Sequence, residues 1–510
     1  MKNIGNRVVQ YSTGIILSLA MVILFYLSYL SLSTRGYIYM TSAEEITFFK
    51  NSPVFYIFLA LIILLFFTAH KLLAKVPSIL LFLVGAGSFA IFAAYVVPNV
   101  DGLLRADPHY LFKAAIQMNM GDYSSFDKIS SANYMSTFPT QMGLLSLFRL
   151  YAHFTTNTSY LFFAQVAMVI VCNLLLWRIS NLLFKKQELN NLVILLSFLF
   201  LPNFFLVFWV YGDIPGLLCL LLALYCYLHF SQSNHILFGI GLLFFISLAC
   251  LVRNNYQIFM VVLLVLQGLS LLKEFNYKKL LILLLLFPTV KLSNIVVQGY
   301  YEGKINQSIT YPPQAAWIVM GLSDNAANNG YFNTYTTLIR EWNDYDDQRV
   351  EEVVQKDLKA RISAFTASPT YAKEFFEEKI AATWNESTLQ SIYAGPLYTR
   401  EQYTHTDFLQ NLYQEGSYYH LYNKYMSVFL TAIYLLSFLY LFLKFVIFRE
   451  KIELVQLYPF LYLIGGFIFH LFWETKSRYV WPYIYLLLPV VAININYISQ
   501  KLKWKSRSKA

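Results

Sequence analysis

Twelve stretches of roughly twenty mostly apolar residues recur along this 510-residue chain, and no other feature restricts its fold as strongly. They fall at 12–33, 53–73, 78–97, 158–180, 190–210, 213–231, 235–252, 256–272, 281–298, 426–447, 456–473 and 480–498. A helix needs about 20 such residues to cross the hydrocarbon core of a bilayer. Hydrophobic residues make up 57% of the chain and charged residues 13%, a balance that a water-soluble domain of this length does not tolerate. The expected fold class is therefore an all-α polytopic membrane protein. The first stretch is too long for a signal-peptide core and lacks a small-residue cleavage site, so it is expected to remain as an anchor.

Lys and Arg collect in cytoplasmic loops, which fixes an orientation. Lys2 and Arg7 begin the chain inside; Lys71 and Lys75, then Arg178, Lys185 and Lys186, then Lys273, Lys278 and Lys279 follow at alternate connections. Lys444, Arg449 and Lys451 come next, and the tail carries Lys501, Lys503, Lys505, Arg507 and Lys509. Both termini are thus expected in the cytoplasm of a cell-membrane protein. The connection 231–235 has no Lys or Arg and is neutral. Counting Phe138 to Phe154 as a thirteenth span would put Lys185, Lys186 and the basic tail outside. That stretch is expected to lie on the outer surface as a juxtamembrane helix.

The net charge of +10 divides along the same lines: residues 299–424 hold 16 Asp and Glu against 10 Lys and Arg, a net of −6, which leaves +16 on the rest. Membrane topology accounts for this surplus, and no nucleic-acid partner is needed to explain it. The four cysteines, Cys172, Cys219, Cys226 and Cys250, all fall within spans and read as packing residues. Three regions result: a transmembrane module 1–298 with a first outer loop at 98–156, an extracytoplasmic domain 299–424, and C-terminal transmembrane helices with a basic tail at 425–510.

The first outer loop reads as helix, turn, helix. Asp107-Pro108 begins one helix as N-cap and first residue. Gly121-Asp122-Tyr123 and the run Ser124 to Ser131 break it, and Pro139 opens a second, amphipathic helix. In the large domain, Val350, Val353, Val354, Leu358, Ile362 and Phe365 recur at helical spacing. Ser368-Pro369 starts a helix carrying Phe375, Phe376, Ile380 and Trp384. The Asn-rich run 324–333 reads as a loop. The 40 Tyr and 44 Phe offer surfaces that stack on sugars, although interface anchoring and ordinary core packing account for most of them.

Ionisable residues at a membrane boundary are costly, so those placed there are candidate functional groups. Asp101, Arg105, Asp107 and His109 cluster at the outer end of the third span. Asp213 sits in Tyr211-Gly212-Asp213-Ile214-Pro215, Arg253 in Leu251-Val252-Arg253-Asn254-Asn255, and Glu474, Lys476 and Arg478 in Glu474-Thr475-Lys476-Ser477-Arg478-Tyr479. All four places face outward in this topology. A carboxylate takes a proton from a hydroxyl, and fixed cations hold a phosphate while charge builds on it as it leaves. Plainer readings stand beside these: Asp213 as a helix cap before Pro215, Asp107 as a cap alone, Arg253 and Lys476 as snorkelling side chains, and His109 as a surface histidine. No His, Cys and carboxylate spacing amounts to a metal site, so neither a divalent cation nor another cofactor is supported.

Three passages resemble the GT-C glycosyltransferases, most closely bacterial relatives of the protein O-mannosyltransferase and aminoarabinose-transferase group. Ala106-Asp107-Pro108-His109-Tyr110, with Gly121-Asp122-Tyr123 and Phe138-Pro139-Thr140-Gln141-Met142-Gly143, resembles the family's first outer loop and its catalytic acid. Tyr211-Gly212-Asp213-Ile214-Pro215 resembles a turn of Gram-positive members, and Glu474 to Pro482, with Arg478-Tyr479, the passage before the last span. Two departures stand out: the acid follows the third span rather than the first, and the loop lacks adjacent paired acids, which keeps Asp101 as a rival to Asp107.

The resemblance implies a fold of GT-C type and transfer of a sugar, with inversion, from a polyprenyl-phosphate donor to an extracytoplasmic cell-wall polymer, glycolipid or protein. Asp107, or its rival Asp101, would be the base. Arg253, Arg478 and Lys476 would hold the donor phosphate, and Arg105, His109, Asp213, Tyr211, Glu474 and Tyr479 would contact substrate. Membrane lipids would surround the spans. The alternatives are a polysaccharide polymerase or ligase, whose large loop would be arginine-rich rather than acidic, and a transporter or lipid flippase, which would show related halves and mid-membrane charges.

Overall fold

The computed structural model describes residues 2–41, 44–127, 133–396 and 404–507. Ser130 and Ser131 of the Ser-rich run and Lys509 of the basic tail lie outside them. In chain order the elements begin with α1 (Lys2–Ser33), the strands β1 (Thr34–Ile38) and β2 (Ile46–Lys50), α2 (Pro53–Leu72), α3 (Ser78–Val96), α4 (Ala106–Asn119), α5 (Tyr134–Thr137) and α6 (Met142–Phe154). Then come α7 (Thr158–Phe184), α8 (Gln187–Leu199), α9 (Pro202–Phe205), α10 (Asp213–Ser233), α11 (Ile236–Val252), α12 (Gln257–Lys273) and α13 (Tyr277–Ile305). The remainder is α14 (Gln314–Gly321), α15 (Tyr335–Glu341), α16 (Asp347–Ala367), α17 (Pro369–Trp384), α18 (Asp407–Tyr413), α19 (Ser417–Leu441), α20 (Tyr458–Phe472), α21 (Trp481–Tyr485) and α22 (Leu488–Arg507).

Among the described residues, nine helices are long and apolar enough to cross a membrane, and two bent pairs bring the number to as many as eleven. The chain is a multi-pass membrane protein. The bends have local causes. Pro202 cannot donate to the helix before it, so α8 and the 202–208 segment meet at 51°. The Asn203 amide then donates to the Ser197 carbonyl at 3.2 Å, covering an acceptor the break sets free. Ser477–Tyr485 and Leu488–Leu502 meet at 43°, where Pro489 follows Leu488. The stretch 235–252 corresponds to the shorter apolar helix Ile236–Val252, and 138–154 contains only the 13 residues of α6 as α-helix.

The bundle packs sequence neighbours and distant helices together. α10 and α11 form a hairpin against α7 and α13, α1 packs along α19, and α19 and α8 flank α22. α12 and α20 lie side by side against α1. The four cysteines are free and line α7, α10 and α11. The expected start at Ser368 holds: it caps α17 through the Tyr371 amide with Pro369 at its first position, and Asn157 caps α7 through the Ser159 amide. In α16, Val350 and Val354 pack on Ala316, Val319 and Ile339.

Several expectations need correction. α13 runs unbroken to Ile305 and α19 begins at Ser417, so the boundaries at 298 and 424 fall inside helices. Pro139 opens a short 3-10 turn rather than α6 itself. Between α1 and α2 lies an antiparallel hairpin, Thr34 opposite Lys50 and Ile38 opposite Ile46, for which no structure was expected. The Gly36 amide donates to the Asn385 carbonyl at 3.1 Å, fastening the hairpin to residues 385–396. That irregular stretch is buried throughout. Glu386 makes this tolerable: its carboxylate accepts from the amides of Thr388 (2.8 Å) and Gln390 (2.7 Å) and from the Ser477 hydroxyl (2.8 Å).

Candidate functional site

Four separate chain segments bring their charges to one place. The α9–α10 connection carries Trp209, Tyr211 and Asp213; the α11–α12 connection carries Arg253; the α20–α21 connection carries Glu474, Lys476, Arg478 and Tyr479; and the first turn of α4 carries Asp107. Arg253 Nε lies 3.3 Å from Asp213 Oδ1, and Arg478 Nε lies 4.0 Å from Asp213 Oδ2. The side chains of all three are at most 10% exposed. Tyr256 donates to the Asp213 carbonyl at 2.5 Å and fixes the start of α10. Asp213 is the first residue of α10, preceded by Gly212 at the cap, so its carboxylate is an ion-pair partner rather than a helix cap.

Aromatic rings hold the guanidinium groups. Arg253 lies 5.0 Å from the Tyr211 ring centre and 4.9 Å from that of Tyr479, while Arg478 lies 3.9 Å above Trp209. Arg253 is therefore not a snorkelling side chain. The buried Arg478 Nε has no hydrogen-bond acceptor, and neither does the buried Trp209 Nε1. Asp213 Oδ2, 4.0 Å from Arg478 Nε, is likewise buried without a hydrogen-bond partner.

Asp107 faces this cluster without touching it. Its carboxyl is pushed above the usual range by burial; Lys476, Arg478 and Arg253 pull it down, and Glu44 pushes it up. Among the described residues it makes no ion pair within 4.0 Å. Arg105, with no capping bond of its own, occupies the cap position of α4, and Asp107 lies in the first turn, not at the cap. Ala106, just before it, has φ 49°, a strained setting for a residue with a Cβ. The hydroxyls of Tyr134 and Tyr211, 3.2 Å apart, and the ring of Tyr479 lie within electrostatic reach of Asp107.

The remaining candidates sort cleanly. Lys476 pairs with Glu44 at 2.6 Å, and Tyr479 donates to Glu474 at 3.2 Å. Burial pushes the Glu474 carboxyl above its usual range against the pull of Lys476 and Arg253. Asp101 is elsewhere, partly exposed and paired with His405 at 2.8 Å. Arg105 donates to the Tyr393 carbonyl and stacks 4.5 Å over the Tyr393 ring. His109 is exposed, against Tyr110. Neither Arg105 nor His109 is among the leading charges that shift Asp107. Among the described residues no group of three or more His, Cys, Asp or Glu is placed to hold a metal ion.

Sequence reasoning missed three contributors. Glu44, from the turn after β1, brings a second carboxylate to Lys476; the adjacent pair Glu44-Glu45 after the first span was its signal. Trp209 gave none beyond its place beside Tyr211. Lys379 of α17 is buried and donates to the carbonyls of Gly321, Leu471 (3.0 Å) and Trp473 (2.9 Å), tying the large domain to the turn that carries Glu474, Lys476 and Arg478. Thr475 N to the Gly330 carbonyl (3.0 Å) and Ser477 N to the Tyr331 hydroxyl (3.2 Å) complete that attachment. Comparison with known protein families, curated proteins and solved structures finds no match to this chain, so any reading of the cluster rests on its own chemistry.

Proposed function

We propose that this protein is a GT-C-type glycosyltransferase with twelve spans, moving a sugar from a polyprenyl-phosphate-linked donor to an extracytoplasmic acceptor. One observation carries the reading: an acid without a direct ion-pair partner, Asp107, faces three cations from two other connections, Arg253, Arg478 and Lys476. Asp107 takes the proton from an acceptor hydroxyl, whose oxygen attacks the anomeric carbon. The bond from that carbon to the phosphate oxygen breaks, and its electron pair leaves on the phosphate. Arg253 and Arg478 hold the phosphate as its charge grows, with Lys476 beside them. Asp213 keeps the two guanidinium groups in place between turnovers.

A lipid-linked donor suits a cluster built on helix connections, because the polyprenyl tail stays in hydrocarbon while the phosphate reaches the cations. The distribution of Lys and Arg puts both termini in the cytoplasm and this cluster outside. Tyr134, Tyr211 and Tyr479 supply hydroxyls and ring faces for sugar. The large domain at 299–424 covers the site and helps to select a cell-wall polymer, glycolipid or protein acceptor.

The test is a transfer assay in membranes holding the wild-type protein or its Asp107→Asn variant, with a panel of radiolabelled polyprenyl-phosphate sugars. Label should pass to an extracytoplasmic product from at least one donor, in the wild type alone. Label that only crosses the membrane unchanged, or no Asp107-dependent transfer from any donor, would overturn the proposal.

A further inference from the structure

At the far end of the bundle from Asp107 lies a second polar site that glycosyl transfer does not use. The bent pair that starts beside Arg478 ends near Lys501, roughly 35 Å away at 1.5 Å per residue. There the ends of α7, α19 and α22 and the start of α8 enclose a cavity of about 320 Å³. Lys186, Lys444 and Lys501 line it, with a single carboxylate, Glu450. Glu450 accepts from Lys501 at 2.9 Å and from the Tyr497 hydroxyl at 3.1 Å. Among the described residues neither Lys186 nor Lys444 makes an ion pair within 4.0 Å. Three ammonium groups around one cavity repel one another; of these Glu450 bonds only Lys501, and it and Glu453 act on Lys444 from a distance without an ion pair.

Two further features point to the ligand. Lys444 sits on the π-helical turn Phe442–Ile447 that continues α19, a local geometry often found at functional sites. Phe442, Val446, Ile447 and Phe448 around it are exposed apolar side chains, and Phe448 packs against Tyr497 and Lys501 of the cavity wall. The Gln456 side-chain oxygen, also in the wall, is buried with no hydrogen-bond partner. The cavity thus offers cations for a phosphate, an acceptor for a hydroxyl, and an apolar track beside them. We propose that this cavity is a binding site for the phosphate headgroup of an anionic phospholipid, held by Lys186, Lys444 and Lys501 with the acyl chains along the 442–448 face. Basic pockets between membrane helices bind such headgroups elsewhere. The site is independent of the glycosyl-transfer reading and is tested without it.

The experiment follows the melting midpoint of the purified full-length chain in neutral detergent, titrated with dioctanoyl phosphatidylglycerol, dioctanoyl phosphatidylcholine or inorganic phosphate. Phosphatidylglycerol should raise the midpoint in a saturable way, and the other two should not at equal concentration. Lys444→Gln and Lys501→Gln should each weaken its apparent affinity about fivefold, as one lysine at a lipid surface is worth. Lys444→Arg should keep it. Glu450→Gln removes the competing carboxylate and should tighten binding, a gain that damage to the fold does not produce. Equal shifts with phosphatidylcholine, or unchanged affinity in both Lys444→Gln and Lys501→Gln, would overturn the site. An equal shift with inorganic phosphate would overturn the lipid assignment.

Discussion

Arg253 and Asp213 are joined at 3.3 Å although each stands where a different helix begins or ends. Gly212 permits the approach: a Cβ there would run into the Val252 carbonyl, so the two connections pass backbone to backbone. Asp213 occupies the place beside both guanidinium groups that a donor phosphate would share. Arg253→Ala and Arg478→Ala are each expected to weaken donor binding about tenfold to a hundredfold, since charge-assisted bonds of this kind are worth about 1.5–3 kcal/mol. Acceptor binding should change little. Titration of each folded variant with a polyprenyl-phosphate sugar checks this; wild-type donor affinity in both would remove the arginines from the phosphate site.

The charges around Asp107 also predict a pH signature. Burial raises its pKa, so the acid limb of the activity profile should lie above the ordinary aspartate range. Lys476 opposes that rise, so Lys476→Gln should move the limb to higher pH. Glu44 adds to it, so Glu44→Gln should move the limb to lower pH. Opposite displacements are not what general loss of structure produces. Profiles of kcat/KM for the three proteins decide the matter, and a shift in the same direction for both variants would exclude Asp107 as the titrating group.

Lys379 gives a prediction for stability. Burial pushes its ammonium group down from 10.5 to about 7, with Glu474 opposing. Between those values the unfolded chain binds the proton and the folded chain does not, so stability rises with pH there. The rise is up to about 1.4 kcal/mol per pH unit. Lys379→Met leaves three buried carbonyls without their donor and should melt several degrees lower. The gap between wild type and variant should widen from pH 7 to pH 9. A gap that stays constant would mean that Lys379 remains charged in its carbonyl cage.

The spans were legible because hydrocarbon leaves a chain little choice, and each apolar stretch coincides with a helix, a shorter helix or a bent pair. Much of the cluster was legible for a related reason: Asp107, Asp213, Arg253 and Arg478 are charges at helix ends, where they are too costly to be incidental. What escaped was set by contacts distant in sequence. Asp101 and Asp107 stand six residues apart, but the bridge of Val100 to Thr404 draws Asp101 away to His405. Arg105 turns to Tyr393 for the same kind of reason. Glu44 reaches Lys476 only because the hairpin folds back against the Asn385 backbone, and no local pattern encodes that pairing.

The orientation has a direct test. Cysteines introduced at Ser308 and Ser508, after replacement of the four native ones, should differ in their reaction with an impermeant thiol reagent on intact cells. Position 308 is expected to label and position 508 to require permeabilised cells. Labelling of 508 but not 308 would place the cation cluster in the cytoplasm and end the outer-face mechanism.

Asp107 itself carries the sharpest prediction. Its carboxylate faces three cations without an ion-pair contact to any of them, and it sits in the first turn of α4, where negative charge is favoured. The cations and the helix start favour its charged form, while burial raises its affinity for a proton. Asp107→Asn preserves the shape and removes most of the basicity. The variant should express and melt like the wild type, bind the donor with similar affinity, and lose turnover by about 10²–10⁴-fold, the usual contribution of a general base. Asp101→Asn should be much milder, because that residue pairs with His405 at a partly exposed position. Glu44→Gln should keep substantial turnover, because Glu44 is occupied by Lys476. Full transfer by Asp107→Asn together with its loss in Glu44→Gln would move the base to the turn after β1. Full transfer by all three variants would end the case for acid–base chemistry at this cluster.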